Sequence, residues 1–257
     1  PFSHIDDMAL GTGFRNLNCF AVGLAIVIFG LSVAASIVSW YKYDETYLIS
    51  QQNTGSSLSV GSSTLNYTRF FYDLEGVNVQ TKVNDITANN FDEYDSSSDV
   101  HQIFKLVQAF VIVALLFSVI VGIFLILAFF DGVRNKLMFH IGATVLRISV
   151  ILVGVVMLLS LVIAFLGFLG ITAAFDNDNP NCTLGPCQKF IDDEQSNVGT
   201  VSLSSVTYTL TKDTKWGPDA GWFLVLANIP LALLFIIIVA LNKFPVPVDS
   251  MGSGEAL

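Results

Sequence analysis

General acid–base catalysis needs titratable side chains that can converge, and the chain holds three histidines, His4, His101 and His140. His101 and His140 flank opposite ends of an apolar stretch long enough to cross a hydrocarbon core of about 30 Å. His4 lies in the N-terminal tail, so no two imidazoles meet. HExxH, GxSxG and P-loop patterns are absent, and Gly11-Thr12-Gly13 lacks the third glycine and preceding strand of a dinucleotide site. This predicts no catalytic residue, no cofactor and no enzyme activity. In DNDNPN, Asp176 and Asp178 have the spacing that opens a calcium loop, yet Pro180 takes the next ligand position and the loop's glycine and final glutamate are missing. Solvated acidic surface is the better reading, and no metal site is expected.

Cysteine and asparagine carry the remaining chemistry. Cys182 and Cys187 lie in CTLGPC and are expected to close a small disulfide ring in an oxidising compartment. Cys19 stands alone near one end of an apolar block, where burial is the plain reading and S-acylation the sharper one. The sequons Asn66-Tyr67-Thr68 and Asn181-Cys182-Thr183 mark Asn66 and Asn181 as expected glycan acceptors. A transport pathway would place ionisable groups inside the apolar blocks, and Arg147 is the only one there, close enough to an end to snorkel. Gln108, Ser118, Ser160 and Asn228 are read as interhelical hydrogen bonders. Pro230 removes a backbone donor two residues after Asn228 and predicts a kink. Gly30 with Ala34, and Ser118 with Gly122, repeat small residues at the four-residue spacing of close helix contacts.

These residues sit on four blocks that explain the composition, which is 53% hydrophobic and only 13% charged. Spans are expected at 17–40, 106–130, 142–170 and 221–241, each meeting the roughly 20 residues a crossing helix requires. The first is too long for the h-region of a signal peptide and is read as a retained span. Between them lie an N-terminal tail, 1–16, a first long loop, 41–105, a short loop, 131–141, a second long loop, 171–220, and a C-terminal tail, 242–257. The short loop carries Arg134 and Lys136, so the positive-inside rule puts it and both tails in the cytoplasm, and the long loops outside. Both sequons then fall on the outer side.

Residues 41–105 carry nine acids and four bases, residues 171–219 seven and three, so the outer loops hold the whole net charge of −9. No basic patch marks a nucleic-acid partner. The loops also carry strand signals: SSLSV, LNYTRFFYDL, VNVQTKV and TVSLSSVTYTLTK alternate apolar and polar residues, the last with a slip at Ser204 and Ser205 that reads as a bulge. The acidic DEYDSSSD, Asp92 to Asp99, reads as a linker outside any sheet. Because an isolated hairpin is marginal in water, the two loops are expected to form one β-containing domain, with Val206, Tyr208 and Leu210 sharing a sheet or packed face with the Phe70 to Val79 region.

Four spans, a longer first outer loop, a shorter second one, CTLGPC, and Lys215-Trp216-Gly217-Pro218-Asp219-Ala220-Gly221-Trp222-Phe223 leading into the last span together resemble the claudin, peripheral myelin protein and amastin group. The resemblance is one of architecture, because the first loop carries no cysteine. It implies a four-transmembrane-helix bundle with a small β-containing extracellular or lumenal domain. It also implies a plasma-membrane or other secretory-pathway location, and a structural, adhesive or assembly role through lateral and outer contacts. Expected partners are membrane lipid and other membrane proteins or copies of the chain. The alternative is an accessory subunit of a channel, transporter or other large membrane complex.

Overall fold

The computed structural model describes residues 3–53, 59–83, 86–95, 97–130, 133, 142–179, 185–203 and 206–242. Asn181 and Cys182 lie outside these, and with them the second sequon and the Cys182–Cys187 pairing. Among the described residues, four helices are long and apolar enough to cross a membrane: α1 (Ser3–Ile37), α2 (Asp99–Leu127), α3 (Ala143–Phe168) and α5 (Ala220–Leu241). Their apolar stretches are long, and a helix meets the hydrogen-bonding needs of its backbone internally, as hydrocarbon demands. Pro230 lies inside α5, which continues to Leu241. A short helix, α4 (Ile171–Asp178), follows α3 and buries Ile171 and Ala174.

Two helix limits depart from the apolar blocks. α1 stops at Ile37, and Trp40 already belongs to the sheet's edge of hydrogen bonding, its N–H donating to the Tyr72 carbonyl at 2.7 Å. α2 begins at Asp99, well before the uncharged run, because polar side chains supply partners for its first N–H groups. DEYDSSSD is therefore not a free linker: Asp92 and Glu93 close a strand and Asp99 opens a helix.

The two long loops form one antiparallel sheet. β1 (Tyr41–Asn53), β2 (Ser59–Tyr72), β3 (Gly76–Val83) and β4 (Ile86–Glu93) come from the first loop, β5 (Asp192–Leu203) and β6 (Val206–Pro218) from the second, in the order β4-β3-β2-β1-β6-β5. Val206, Tyr208 and Leu210 share this sheet with the Phe70 to Val79 region, but their direct partner is β1, where Ile49 stands opposite Leu210. β1 is hard to see in sequence because Tyr, Lys and Asp fill it. In the sheet it alternates cleanly, with Tyr41, Tyr43, Glu45, Tyr47 and Ile49 on one face and Lys42, Asp44, Thr46 and Leu48 on the other. Ser204 and Ser205, where the alternation slips, lie outside the described residues; on either side of them β5 ends at Leu203, β6 starts at Val206, and these two residues pair. The register shift of this hairpin falls between Asn197 and Gly199.

Contacts divide the chain into two compact units, one of Pro1–Val33, Phe110–Val162 and Leu226–Leu257, the other of Ala34–Ala109 and Ile163–Val225. The first is helical, with a core of Ala21, Ala25 and Ile28, Val111 and Leu125, Val150, Met157 and Leu161, and Ala232 and Phe235, all buried at helical spacing. The second contains the sheet, α4 and the helix ends nearest the sheet.

Candidate interaction surfaces

Within the helical unit, Asn18, Asn228, Ser118 and Ser160 each donate a hydrogen bond to a protein partner. Asn228 is fully buried on α5, and its Nδ2 donates to Ser32 Oγ at 3.2 Å and to the Ile28 carbonyl at 3.4 Å on α1. A second amide link, absent from the sequence reading because it sits at a block edge, runs from Asn18 Nδ2 to the Leu125 carbonyl at 3.0 Å and ties α1 to α2. Ser118 and Ser160 do not bridge helices: their hydroxyls donate to Leu115 and Val156 in their own helices at 2.7 and 2.8 Å, the usual local alternative for a helical serine. Pro230 is exposed on α5.

The small residues differ among themselves. A Cβ added at Gly122 would meet the Ala25 Cβ at 4.0 Å, an ordinary contact between α2 and α1. Gly30 is exposed with nothing within 4 Å of such an atom, and Ala34 is half-buried, so this pair makes no close helix contact among the described residues. The tight approach lies elsewhere, at Gly154 on α3, where an added Cβ would come within 3.0 Å of Ile236 and 3.2 Å of Phe235 on α5. Rows such as Leu152, Leu159 and Leu166 on α3, and Phe20, Ile26 and Val27 on α1, are exposed, as suits helices surrounded by lipid or by neighbouring spans.

In the sheet-containing unit, aromatic side chains fill the junction between strands and helix ends. Tyr41 packs its ring against Tyr72, Phe168, Phe175 and Phe190, with centroids 5.6 to 6.3 Å apart, and its hydroxyl donates to the Phe190 carbonyl at 3.1 Å. Trp40 is fully buried against Phe168, and its indole N–H donates to the Ala35 carbonyl at 2.7 Å. Gly221 is required here, because a Cβ would stand 2.5 Å from the Trp40 ring. Burial pushes the Tyr72 phenol up to about 12, and burial followed by repulsion from Tyr72 raises Tyr41. These phenols stay protonated and act as packing groups and donors, not as bases.

Asp178, at the end of α4, caps α2. Its carboxylate accepts from Ser98 Oγ at 2.5 Å, Asp99 N–H at 2.7 Å and Val100 N–H at 3.0 Å, and Asn177 Nδ2 donates to Asp99 at 2.9 Å. Desolvation pulls the Asp178 carboxyl upward, but the three hydrogen bonds from Ser98, Val100 and Asp99 together hold it below its ordinary value. Asp178 thus serves a helix terminus, where negative charge is favoured. No group of three or more His, Cys, Asp or Glu side chains suited to a metal occurs among the described residues.

Asn66 stands mid-sheet on β2, half-buried between Tyr47 of β1 and Val83 of β3. On the same face Glu45 binds Lys212 at 2.6 Å and accepts from the Tyr43 hydroxyl at 2.8 Å, with burial the first cause that raises the Tyr43 phenol. The opposite face carries Asp44 between Lys42 at 2.7 Å and Arg69 at 3.5 Å, with the Arg69 guanidinium 4.4 Å from the Tyr67 ring centre. The sheet ends in two open edges. All eight residues of β4 are exposed. β5 borders a depression of about 300 Å³ lined by Gly185, Gln188, Lys189, Asp192, Asp193, Glu194 and Trp216. Trp216 is held there by its indole N–H, which donates to the Lys189 carbonyl at 2.9 Å. No family model matches the chain, and no curated protein matches it.

Proposed function

We propose that the chain is a non-enzymatic tetraspan membrane protein with a structural, adhesive or assembly role, exerted through lateral contacts of its helices and through its outer sheet. The observation that carries this reading is the use to which polar chemistry is put. Asn18, Asn228, Asp178 and the buried tyrosines serve helix contacts, a helix cap and packing, while the surfaces left over are helix faces and sheet edges. Surfaces of that kind bind other chains or lipid. In this reading both termini are cytoplasmic, the sheet is extracellular or lumenal, Asn66 and Asn181 carry glycans, and Cys182 joins Cys187. The partners are membrane lipid and other membrane proteins or copies of this chain, on the plan of the claudin, peripheral myelin protein and amastin group.

The open face of α1 at Gly23 and Gly30, where an added Cβ meets nothing within 4 Å, also suits a second reading, an accessory subunit seated against a larger complex. Purification in mild detergent with quantified stoichiometry separates the two. Self-association or adhesion between cells supports the first, and a fixed ratio to a larger membrane complex supports the second. A chain that remains a monomer with no companion under crosslinking in its own membrane would defeat both.

A further inference from the structure

Among the described residues β5 pairs only with β6, so the N–H and C=O groups along its other side are unmatched by any described strand of this sheet. Between Asp192 and Ser196 its register with β6 is regular, and only after Asn197 does it shift. In that segment Asp192 and Glu194 are two residues apart and project on the face that carries Trp216, the register partner of Asp192. Together with Asp193 they give the edge three carboxylates in succession. Lys189 binds Asp192 and also feels the charge of Glu194, and no ion pair within 4 Å joins Asp193 or Glu194 to another described residue. The chain's own edges do not match this charge: β4 ends in Asp92 and Glu93, and neither β4 nor β5 contains a Lys or Arg. A second copy presenting either edge would bring more acid.

We propose that the β5 edge over Asp192–Ser196 is a docking site for an extended segment of another protein that carries Lys or Arg at alternate positions. The segment adds as a seventh strand, its main chain meeting the unmatched groups of β5. Its basic side chains, spaced two residues apart, meet Asp192 and Glu194 at the depression beside Trp216. Lys189 does not exhaust Asp192, since a carboxylate offers about four lone-pair sites. The inference names a partner chemistry for the outer contacts proposed above and rests on that reading.

The test uses the full chain in lipid nanodiscs and dye-labelled pentapeptides read by fluorescence anisotropy. The sequence Thr-Lys-Thr-Lys-Thr is expected to bind saturably in the micromolar to millimolar range and to weaken as salt rises. Thr-Glu-Thr-Glu-Thr is expected not to bind. The lysine peptide N-methylated at alternate residues, which cannot pair as a strand, is also expected not to bind. Combining Asp192→Asn with Glu194→Gln, both half-buried at the sheet edge and outside the aromatic junction around Tyr41, should lower affinity about fivefold to tenfold. Equal binding of the N-methylated peptide, unchanged affinity of the double variant, or no saturable binding would each overturn the edge proposal. Because stoichiometric copurification is measured separately, a negative peptide result beside a positive copurification removes this site and leaves the assembly role standing.

Discussion

Single residues at the junction have effects that their contacts allow to be stated. Gly221→Ala places a methyl group 2.5 Å from Cδ1 and 2.6 Å from Nε1 of Trp40, a ring that is fully buried and tethered to Ala35. Overpacking of this kind costs about 1 to 3 kcal/mol, so a thermal melt in detergent should shift down while Trp fluorescence reports a displaced indole. An unshifted melt would mean that the ring yields freely. Asp178→Ala removes the acceptor of three bonds at the start of α2 and should cost about 0.5 to 2 kcal/mol, the range for loss of a helix cap. The pH dependence has a definite sign. The folded carboxyl lies below its ordinary value, so its contribution is complete above about pH 4 and is lost as pH falls through the lowered folded value. The stability gap between the native chain and Asp178→Asn should therefore stay constant from neutral pH to about pH 5 and close only in stronger acid. A gap that closed near pH 6 would contradict the cap.

At the level of elements, the β1–β6 pairing and the helix contacts are the joints to test. Leu210 on β6 and Ile49 on β1 stand opposite each other, one from each long loop. Replacing a half-buried leucine by aspartate removes about 1 to 2 kcal/mol, so Leu210→Asp should lower the protease resistance of both loops together while helical circular dichroism is kept. Loosening of the second loop alone would show that the strands from the two loops are not cooperative. Between helices, Gly154→Val should destabilise the bundle, because its first added atom already meets Ile236 at 3.0 Å, whereas Gly30→Val should leave the monomer's melt unchanged. If Gly30→Val instead abolishes lateral association, the open face of α1 is where a neighbour sits.

For the whole molecule, tags at either terminus should be protected in sealed cells and the segment around Asn66 accessible, with a glycosidase-sensitive mobility shift that disappears in Asn66→Gln. Termini of opposite accessibility would sink the four-span topology. The sequence by itself determined the helices, because hydrocarbon leaves an apolar chain almost no other way to satisfy its backbone, and length alone then marks a crossing. It also determined that the loops contain strands, since alternation in LNYTRFFYDL and TVSLSSVTYTLTK is a local property. Strand neighbours, by contrast, were decided by tertiary structure. β1 lies beside β6, more than 150 residues away along the chain, and its polar, tyrosine-rich sequence shows which face is inner only once Tyr41 meets Phe168 and Phe175. A hairpin and a bulge both interrupt alternation, and the pairing of Leu203 with Val206 is information that alternation along the chain does not contain. Gly30 and Gly154 are alike in sequence. Their difference comes from which helix stands opposite, a fact that spacing along one helix does not contain.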